Sequence, residues 1–527
     1  MTLRKDLRDA REECLITKRQ RIRPDSIHKI ITAESIKGEL RSSTWIGRLF
    51  SSRGLTLEDK VQRASKIIAI LALIDKSGCI DTLLNDGLTD DHLPLVEDGN
   101  CLRSQCGERS FESFDPRHGD KHLAEMFLEH QWDVWVPILN FEPGVLTQIS
   151  LHSSSSLPFD CEEIATTGYS AVYKGTLWPL YHKGINDKPQ DKGCIAVKQF
   201  KDAPKPDDKD LYYQQELKNL ERIRTIVNEH LSQPLACCEQ ARSIFFPWAT
   251  GGDLCNFWEA NGPQKLQRTP EIFLWTLRQI CGITHALEAI HQVSIRHGDL
   301  KPSNILHFTD GTTELGILKI ADFGVSKEHM LATGLRSDPT ITKASTFTYE
   351  APEAHDSFKS RGSRSRRYDC WSLGCIILES IIWFLYDCDA IVSCRSQRDA
   401  EHYSYYRPIP GSDPRNKAIE DVMEVHPVTD TAIREMERHV WFKNTAVESI
   451  VELVTSNLLK IKPEERLGAG DTRKALQEIL ATAQKDLSPF TKEADPLLIP
   501  PFFRHKPPKT AALATYEERK GVTGNAS

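Results

Sequence analysis

Two short polar segments of the sequence hold the side chains best suited to chemistry. DLKPSN places Asp299, Lys301 and Asn304 within six residues, and IADFG places Asp322 directly after an apolar run. A carboxylate can accept a proton from a hydroxyl group, and a nearby ammonium group can neutralise a phosphoryl group during its transfer. Carboxylate and amide oxygens are ligands for Mg²⁺. The pattern indicates phosphoryl transfer. The alternative is that DLKPSN is only a capped turn and DFG another turn.

A third candidate group lies on the predicted strand CIAVKQF. Because side chains alternate along a strand, Ala196 and Lys198 lie on the same face. A small residue beside a cation suits a flat heteroaromatic ring that carries a phosphate chain, whereas a lysine at a strand end is most often a surface group. Glu216 follows on a helix with an apolar stripe and can pair with Lys198. Glu221 lies on the same helix and competes for that role.

These residues need a framework of strands followed by helices. EIATTGYSAVYKGTLW and CIAVKQF alternate in character, which predicts antiparallel strands. SIFFPW predicts a short strand that Pro247 ends, and PEIFLWTLRQICGITHALEAIH predicts a long helix with one apolar side. DCWSLGCIILESIIWFLY is apolar nearly all round, which is typical of a buried helix. The order of the elements predicts an α+β fold.

Changes in composition divide the chain into three regions. Residues 1–155 contain the periodic apolar segments VQRASKIIAILALI and HLAEMFLEHQWDVW and are predicted to be mostly helical. A serine run at 153–156 indicates a boundary near residue 155. The polar segments lie in the second region, residues 156–485. Residues 486–527 turn rich in Pro and Lys and are predicted to form a poorly ordered tail.

Bulk properties exclude several classes of protein. The 527 residues are 39% hydrophobic and 27% charged, and the formal net charge of -7 argues against nucleic acid or a membrane surface as the main partner. The 14 cysteines form no zinc or disulfide pattern, no secretory signal is recognisable, and the apolar run Ile67–Ile74 is too short to span a membrane. We expect a cytoplasmic protein. The basic run that starts at Lys359 makes a nuclear location the alternative, unless it is only a solvated loop.

The ordered motifs resemble those of the eukaryotic protein kinases over about residues 158–482. They are Lys198, Glu216, HGDLKPSN, DFG, YEAPE, YDCWSLG and PEERL. The resemblance implies a bilobal fold, in which a small antiparallel β lobe with one helix precedes a large, mainly helical lobe. It implies ATP and Mg²⁺ as cofactors. It also implies that Asp299 is the catalytic base, that Lys301 assists it, and that Asn304 and Asp322 are the metal ligands.

The same resemblance implies the nucleotide contacts. Lys198 looks like the lysine of the α- and β-phosphates, with Glu216 as its partner. The other implied cofactor-binding residues are Ala165, Thr167, Gly168, Val172, Ala196, Pro247 through its carbonyl, Ala249 through its N–H, and Asp253 at the ribose. The phosphate loop departs from the GxGxxG pattern, because Ala165, Thr167 and Ser170 occupy the glycine positions. We expect this to weaken ATP binding by about 1 kcal/mol per misfit site.

Other positions of the family pattern concern support and control. Glu353 and Arg466 match a pair that ties the activation segment to the large lobe, and Asp369 resembles the buried acid that supports the catalytic loop. Gly298 stands where many kinases have Arg, which defines a non-RD kinase. In kinases with that Arg, its cation binds a phosphate on the activation segment. Because Gly298 has no such cation, we expect activity that does not depend on this phosphate.

The resemblance implies a protein substrate with a Ser or Thr acceptor, because DLK is the form found in serine/threonine kinases and Thr346 matches a threonine that they use. A role in signalling follows as an expectation. A nucleotide-binding pseudokinase scaffold is the first alternative, because the phosphate loop is degenerate. A small-molecule phosphotransferase is the second, because HGDxxxxN also occurs there, although those enzymes lack the DFG, APE and WSLG motifs.

The N-terminal region is similar to that of a group of fungal kinases with a helical extension. It is a candidate site for a regulatory partner. An extension that only packs against the rest of the chain explains its apolar pattern equally well. No nucleic-acid or membrane partner is expected.

Overall fold

A computed structural model describes residues 3–40, 56–105, 107, 109–117, 122–142, 144–185, 193–202, 210–263, 265–309, 315–323, 348–355, 365–398, 404–412, 418–491 and 499–504. Every structural statement below refers to these residues. Thr346 and most of the basic run that starts at Lys359 lie outside them.

Fourteen α-helices occur in the described part of the chain, and several begin at a capping side chain. They are α1 (Leu3–Asp9), α2 (Pro24–Ile30), α3 (Ala33–Leu40), α4 (Leu57–Leu73), α5 (Ile80–Asn85), α6 (Leu123–His130), α7 (Leu211–Ile223), α8 (Leu254–Ala260), α9 (Pro270–Gln292), α10 (Arg367–Leu385), α11 (Cys388–Gln397), α12 (Pro427–Met436), α13 (Ala446–Leu453) and α14 (Ala469–Lys485). Thr56 caps α4 and Thr269 caps α9, because each hydroxyl oxygen accepts an N–H of the first turn that has no partner within the helix.

The strands of the same residues form one large sheet and several small ones. They are β1 (Arg11–Glu13), β2 (Gln20–Ile22), β3 (Leu95–Asp98), β4 (Cys101–Ser104), β5 (Ser110–Phe111), β6 (Leu139–Asn140), β7 (Thr147–Gln148), β8 (Phe159–Thr166), β9 (Ser170–Leu177), β10 (His182–Lys183), β11 (Cys194–Phe200), β12 (Ala236–Cys238), β13 (Ser243–Pro247), β14 (Ile305–Phe308), β15 (Ile317–Ile320), β16 (Tyr406–Pro408) and β17 (Met423–Val425). The large sheet has the order β7-β12-β13-β11-β9-β8. β9 pairs antiparallel with both β8 and β11, whereas β7 pairs parallel with β12.

The chain divides into two compact units. Unit 1 comprises Met1–Thr166, Ser170–Phe200 and Leu235–Phe245, and unit 2 comprises Thr167–Tyr169, Lys201–Pro234 and Phe246–Ser527. Unit 1 therefore contains the large sheet, and unit 2 contains most of the long helices. The predicted boundary near residue 155 falls within unit 1 and stays a prediction.

Unit 1 has two hydrophobic cores. One is formed by residues between Leu3 and Val134, including most of the apolar face of α4. The other lies in the large sheet and includes Phe159, Val197 and Phe245, together with Cys14 and Ile16 from the loop between β1 and β2. The hairpin β1–β2 thus contributes apolar side chains to the core of the sheet, although more than 120 residues separate it from β8 in sequence.

Unit 2 is built around two long helices. The buried residues of α9 include Phe273, Leu277, Ile280, Ile283, Leu287 and Ile290, which the sequence predicts on one side of that helix. All residues of α10 after Arg367 are buried. α10 has the length and apolar character of a membrane span, but its apolar window is completely buried within the protein, as in the core helix of a folded domain.

The predicted antiparallel strands are confirmed as β8, β9 and β11. The predicted helices are confirmed as α7, which carries Glu216, α9 and α10. The sheet β3-β4-β5 in the N-terminal region was not predicted. Two parts of the predicted tail are folded rather than poorly ordered. Phe490 and Phe503 are each 97% or more buried, with exposures of 3% and 2%, so the prediction of a poorly ordered tail is wrong for residues 486–491 and 499–504.

Candidate active site

The three polar side chains of DLKPSN contact one another in unit 2. Lys301 Nζ lies 2.8 Å from Asp299 Oδ2. Asn304 Nδ2 donates hydrogen bonds to the Asp299 carbonyl at 2.8 Å and to Asp299 Oδ2 at 3.3 Å. The single helical turn Pro302–Asn304 brings these groups together. Lys301 and Asn304 are buried, whereas 32% of the Asp299 side chain is exposed, so its carboxylate is oriented and still accessible.

Asp369, at the start of α10, anchors the residues before this loop. It accepts hydrogen bonds from the His297 N–H at 2.9 Å and the Gly298 N–H at 2.8 Å, and it lies 2.8 Å from His291 Nε2. Its side chain is fully buried. Burial would raise its pKa, but the hydrogen bond and charge of His291, with the other donors, hold that pKa below its usual value. Asp369 is therefore an ionised anchor, as the sequence predicts.

Gly298 has a φ of +77°. Glycine adopts this left-handed conformation without the steric cost that a Cβ brings. The residue between His297 and Asp299 can therefore turn its N–H toward Asp369 without backbone strain.

The DFG segment lies beside the same loop. β14 and β15 form a hairpin in which Ile305 pairs with Ile320, so Asn304 and Ala321 lie side by side at its end. The Ala321 N–H donates to the Asn304 carbonyl at 2.9 Å. His297 Nε2 lies 3.0 Å from the Ala321 carbonyl, and its ring contacts that of Phe323 at 5.6 Å. The hairpin thus brings the predicted metal ligands Asn304 and Asp322 to one end.

These oxygens fit a Mg²⁺ ion that also binds phosphate. Asn304 uses its amide N–H group toward Asp299, and its Oδ1 accepts no hydrogen bond from the described residues. Asp322 is exposed. No cluster of three or more His, Cys, Asp or Glu side chains suited to a metal occurs in the part of the chain that the structure describes. Mg²⁺ commonly takes one or two protein oxygens and completes its shell with water and substrate phosphates.

In unit 1, four of the predicted nucleotide contacts share one face of the sheet. Val172 on β9 pairs with Lys198 on β11 and, on its other side, with Ala165 on β8. Directly paired residues of neighbouring strands point to the same face, and Ala196 joins them because it lies two residues before Lys198. The exposed fraction of Lys198 is only 8%. Lys198 is therefore not the surface lysine of the alternative interpretation.

Burial distinguishes the two candidate partners of Lys198. On α7, Glu216 is 1% exposed, whereas Glu221 is exposed. A buried carboxylate needs a compensating charge or donors, which favours Glu216. Lys198 belongs to unit 1 and Glu216 to unit 2, and the ion pair between them stays a prediction.

The residues at the glycine positions of the phosphate loop have ordinary backbone conformations. Ala165, Thr167 and Ser170 are absent from the described non-glycine residues with positive φ, and Gly168 also lies outside that region. Ala165 and Ser170 are ordinary strand residues of β8 and β9. The Thr167 carbonyl accepts a hydrogen bond from Lys201 Nζ at 2.6 Å. The predicted weakening of ATP binding stays a prediction.

Three residues after Phe246 were predicted to bind the base and the ribose. Pro247 is the last residue of β13. Ala249 is 9% exposed, and its N–H donates to no other described residue, so it is available to an adenine ring. Asp253 caps α8 by accepting the Asn256 N–H at 2.9 Å, and the residue is partly exposed.

The predicted Glu353 to Arg466 pair is present. Arg466 Nη1 and Nη2 donate to the two carboxylate oxygens of Glu353 at 2.8 and 2.7 Å. A second buried cluster was missed: Glu379, Arg395 and Tyr349 contact one another. Glu379 lies in the middle of the apolar letters of α10, which could have indicated it, but no local signal indicates Arg395.

Comparison with known proteins agrees with this geometry. The family model "Protein kinase domain" matches residues 183–478, more than half of the chain. The chain belongs to the protein kinase family, and its fold is the α+β, bilobal protein kinase fold.

Three relatives show the range of similarity. A probable cell division protein kinase of Encephalitozoon cuniculi is 40% identical over 104 residues, 19% of this chain and 32% of that protein. A cell cycle serine/threonine-protein kinase of Saccharomyces cerevisiae is 31% identical over 209 residues, 38% of this chain and 27% of that protein. A CBL-interacting protein kinase of Oryza sativa is 28% identical over 221 residues, 41% of this chain and 44% of that protein. The chain covers less than half the length of each relative.

Proposed function

We propose that the chain is a serine/threonine protein kinase that transfers the γ-phosphoryl group of ATP to protein hydroxyls with Mg²⁺ as cofactor, in cellular signalling. The observation that carries this proposal is the contact set of Asp299, Lys301 and Asn304, with Asp322 at the end of the adjoining hairpin. The serine/threonine specificity is supported by the DLK letters and by the name of the yeast relative. A cytoplasmic or nuclear location and a regulatory partner at the N-terminal region stay predictions.

The functional residues have different roles in the transfer. Asp299 accepts the proton of the acceptor hydroxyl as the new O–P bond forms and the bond to the leaving phosphate oxygen breaks. Lys301, 2.8 Å from that carboxylate, neutralises negative charge on the phosphoryl group and orients Asp299. Asn304 and Asp322 would hold the Mg²⁺ ion, which shields the phosphate charges when bound. Lys198 would bind the α- and β-phosphates, as the family pattern implies.

A transfer assay with radiolabelled ATP tests the proposal. Purified protein is incubated with Mg²⁺ and a generic basic protein, and the labelled product is hydrolysed for phosphoamino-acid analysis. We expect label on serine or threonine that EDTA abolishes. Nucleotide binding without any transfer would favour the pseudokinase alternative, and label on a small molecule but not on protein would favour the small-molecule phosphotransferase.

A further inference from the structure

A buried ionic cluster in unit 2 lies outside the set of residues that carry out the transfer. Glu379 of α10 is 1% exposed and accepts hydrogen bonds from Arg395 of α11, from Nε at 2.9 Å and from Nη2 at 2.7 Å. Tyr405 donates to the same carboxylate at 3.1 Å, and Arg398 lies 3.5 Å from it. Burial would raise the pKa of Glu379, but Arg395 and Arg398 hold it below its usual value.

This cluster holds one residue of the segment that leads into APE. The Tyr349 hydroxyl donates to Glu379 Oε2 at 2.7 Å and accepts a hydrogen bond from Arg395 Nη2. The Tyr349 carbonyl accepts from Ser372 Oγ at 2.7 Å. Residues 348–355 are thus tied at two points, Tyr349 and Glu353, of which the second is held by Arg466.

The helix that carries Arg395 is held in turn by the C-terminal segment. The Phe502 carbonyl accepts hydrogen bonds from Ser393 Oγ at 2.9 Å and Gln397 Nε2 at 2.7 Å, both on α11. The ring of Phe503 is 2% exposed and lies 4.6 Å from that of Tyr386, which directly follows α10. The helix α11 therefore contacts residues 499–504 through Ser393 and Gln397, and Tyr349 through Arg395.

We propose that Arg395 is a positioning residue for phosphoryl transfer to protein substrates, and that residues 499–504 hold α11 in the orientation that Arg395 needs. The proposal rests on the proposed function. The buried Glu379 carboxylate contacts two arginines and two tyrosines, and few arrangements of the helices satisfy all of these contacts. A small shift of α11 should therefore also move Tyr349. This stretch follows Thr346, which matches the threonine that serine/threonine kinases use beside the catalytic Asp, and none of the predicted nucleotide contacts lies in it. Its displacement should therefore affect the protein substrate more than ATP.

Hydrogen exchange tests the physical link without using activity. The full chain is compared with Phe503→Ala, with Val392→Ala on the exposed side of α11 as the matched control. We expect amide exchange in residues 348–355 and in α11 to be about tenfold faster in Phe503→Ala and unchanged in the control, with α9 unaffected in both. Unchanged exchange in residues 348–355 would overturn the proposal. Because this measurement needs no catalysis, it separates failure of the link from failure of the proposed function.

Steady-state kinetics test the positioning role. In Phe503→Ala and in Tyr349→Phe, which removes only the hydroxyl, we expect kcat/KM for the protein substrate to fall about tenfold while KM for ATP stays within about twofold. Tyr349→Phe keeps the test decisive if the first variant unfolds. An equal effect on both substrates, or none on the protein substrate in both variants, contradicts the positioning role.

Discussion

At the residue scale, Asp322 combines an accessible carboxylate with an uncommon backbone conformation. Its φ of +61° lies in the left-handed region, which non-glycine residues seldom adopt and which Asp and Asn tolerate better than most. Such conformations are found where surrounding structure holds a functional group in place. The exposed carboxylate at the end of the β14–β15 hairpin agrees with its proposed metal-binding role.

Substitutions at Asp322 should separate charge from backbone conformation. Asp322→Asn keeps a side chain that tolerates the left-handed region, so we expect an unchanged unfolding temperature and transfer at least about 100-fold slower, because the anionic ligand is lost. Asp322→Ala should in addition destabilise the protein by about 1 kcal/mol. Thermal denaturation and the transfer assay measure both effects. Transfer by Asp322→Asn within tenfold of the wild type would contradict the assigned role.

His439 should make the stability of unit 2 sensitive to pH. Burial lowers its pKa from 6.5 to about 4, and its Nδ1 accepts the Trp441 N–H at 3.2 Å, which only an unprotonated nitrogen can do. The folded state therefore binds fewer protons than the unfolded state between these values. The free energy of unfolding should fall as the pH decreases from 6.5 to about 4, by at most about 3 kcal/mol.

The variant His439→Asn provides the comparison for that pH dependence. Its amide oxygen can accept the same hydrogen bond but does not titrate, so its urea-unfolding midpoint should depend less on pH over this interval. Identical slopes in wild type and variant would show that His439 does not contribute.

At the element scale, the hairpin β1–β2 forms a separate two-stranded sheet that packs against the sheet carrying Lys198. Gln199, the next residue on β11, donates through Nε2 to the Ile16 carbonyl at 2.8 Å and the Ala241 carbonyl at 3.3 Å. Arg21 of β2 is 4% exposed, pairs with Glu12 at 2.9 Å, donates to the Leu157 carbonyl, and lies over the Trp178 ring. At this hairpin the N-terminal region packs against the sheet, which supports the packing interpretation there.

Arg21→Ala tests the contribution of the hairpin. Removing a buried guanidinium leaves the Leu157 carbonyl without this donor, so we expect destabilisation of unit 1 by about 2 to 4 kcal/mol. Arg19→Ala, at an exposed position of the same hairpin, is the matched control and should change stability by less than about 0.5 kcal/mol. Denaturant unfolding followed by tryptophan fluorescence measures both. Equal stability of the two variants would mean that the hairpin does not support the sheet.

At the scale of the whole molecule, local motifs predicted the catalytic loop, the DFG segment and the buried helix α10, because each depends on residues close together in sequence. The sequence could not decide between Glu216 and Glu221 as partner of Lys198, because both lie on one helix. The decision required the burial of each side chain in the structure. The contacts of Cys14 and Ile16 with the sheet, and of Arg395 with Tyr349, join distant parts of the chain. The packing of Phe503 was missed because a Pro- and Lys-rich composition also describes disordered tails.

The comparison of Asp299→Asn with wild type in the radiolabelled transfer assay tests the central claim most directly. Asp430→Asn, at an exposed position of α12, is the matched control for loss of one carboxylate. If Asp299 accepts the proton of the acceptor hydroxyl, we expect transfer by Asp299→Asn to be at least about 100-fold slower than by wild type, with the control unchanged and the unfolding temperatures of all three alike. Equal transfer by wild type and Asp299→Asn would contradict catalysis by this site.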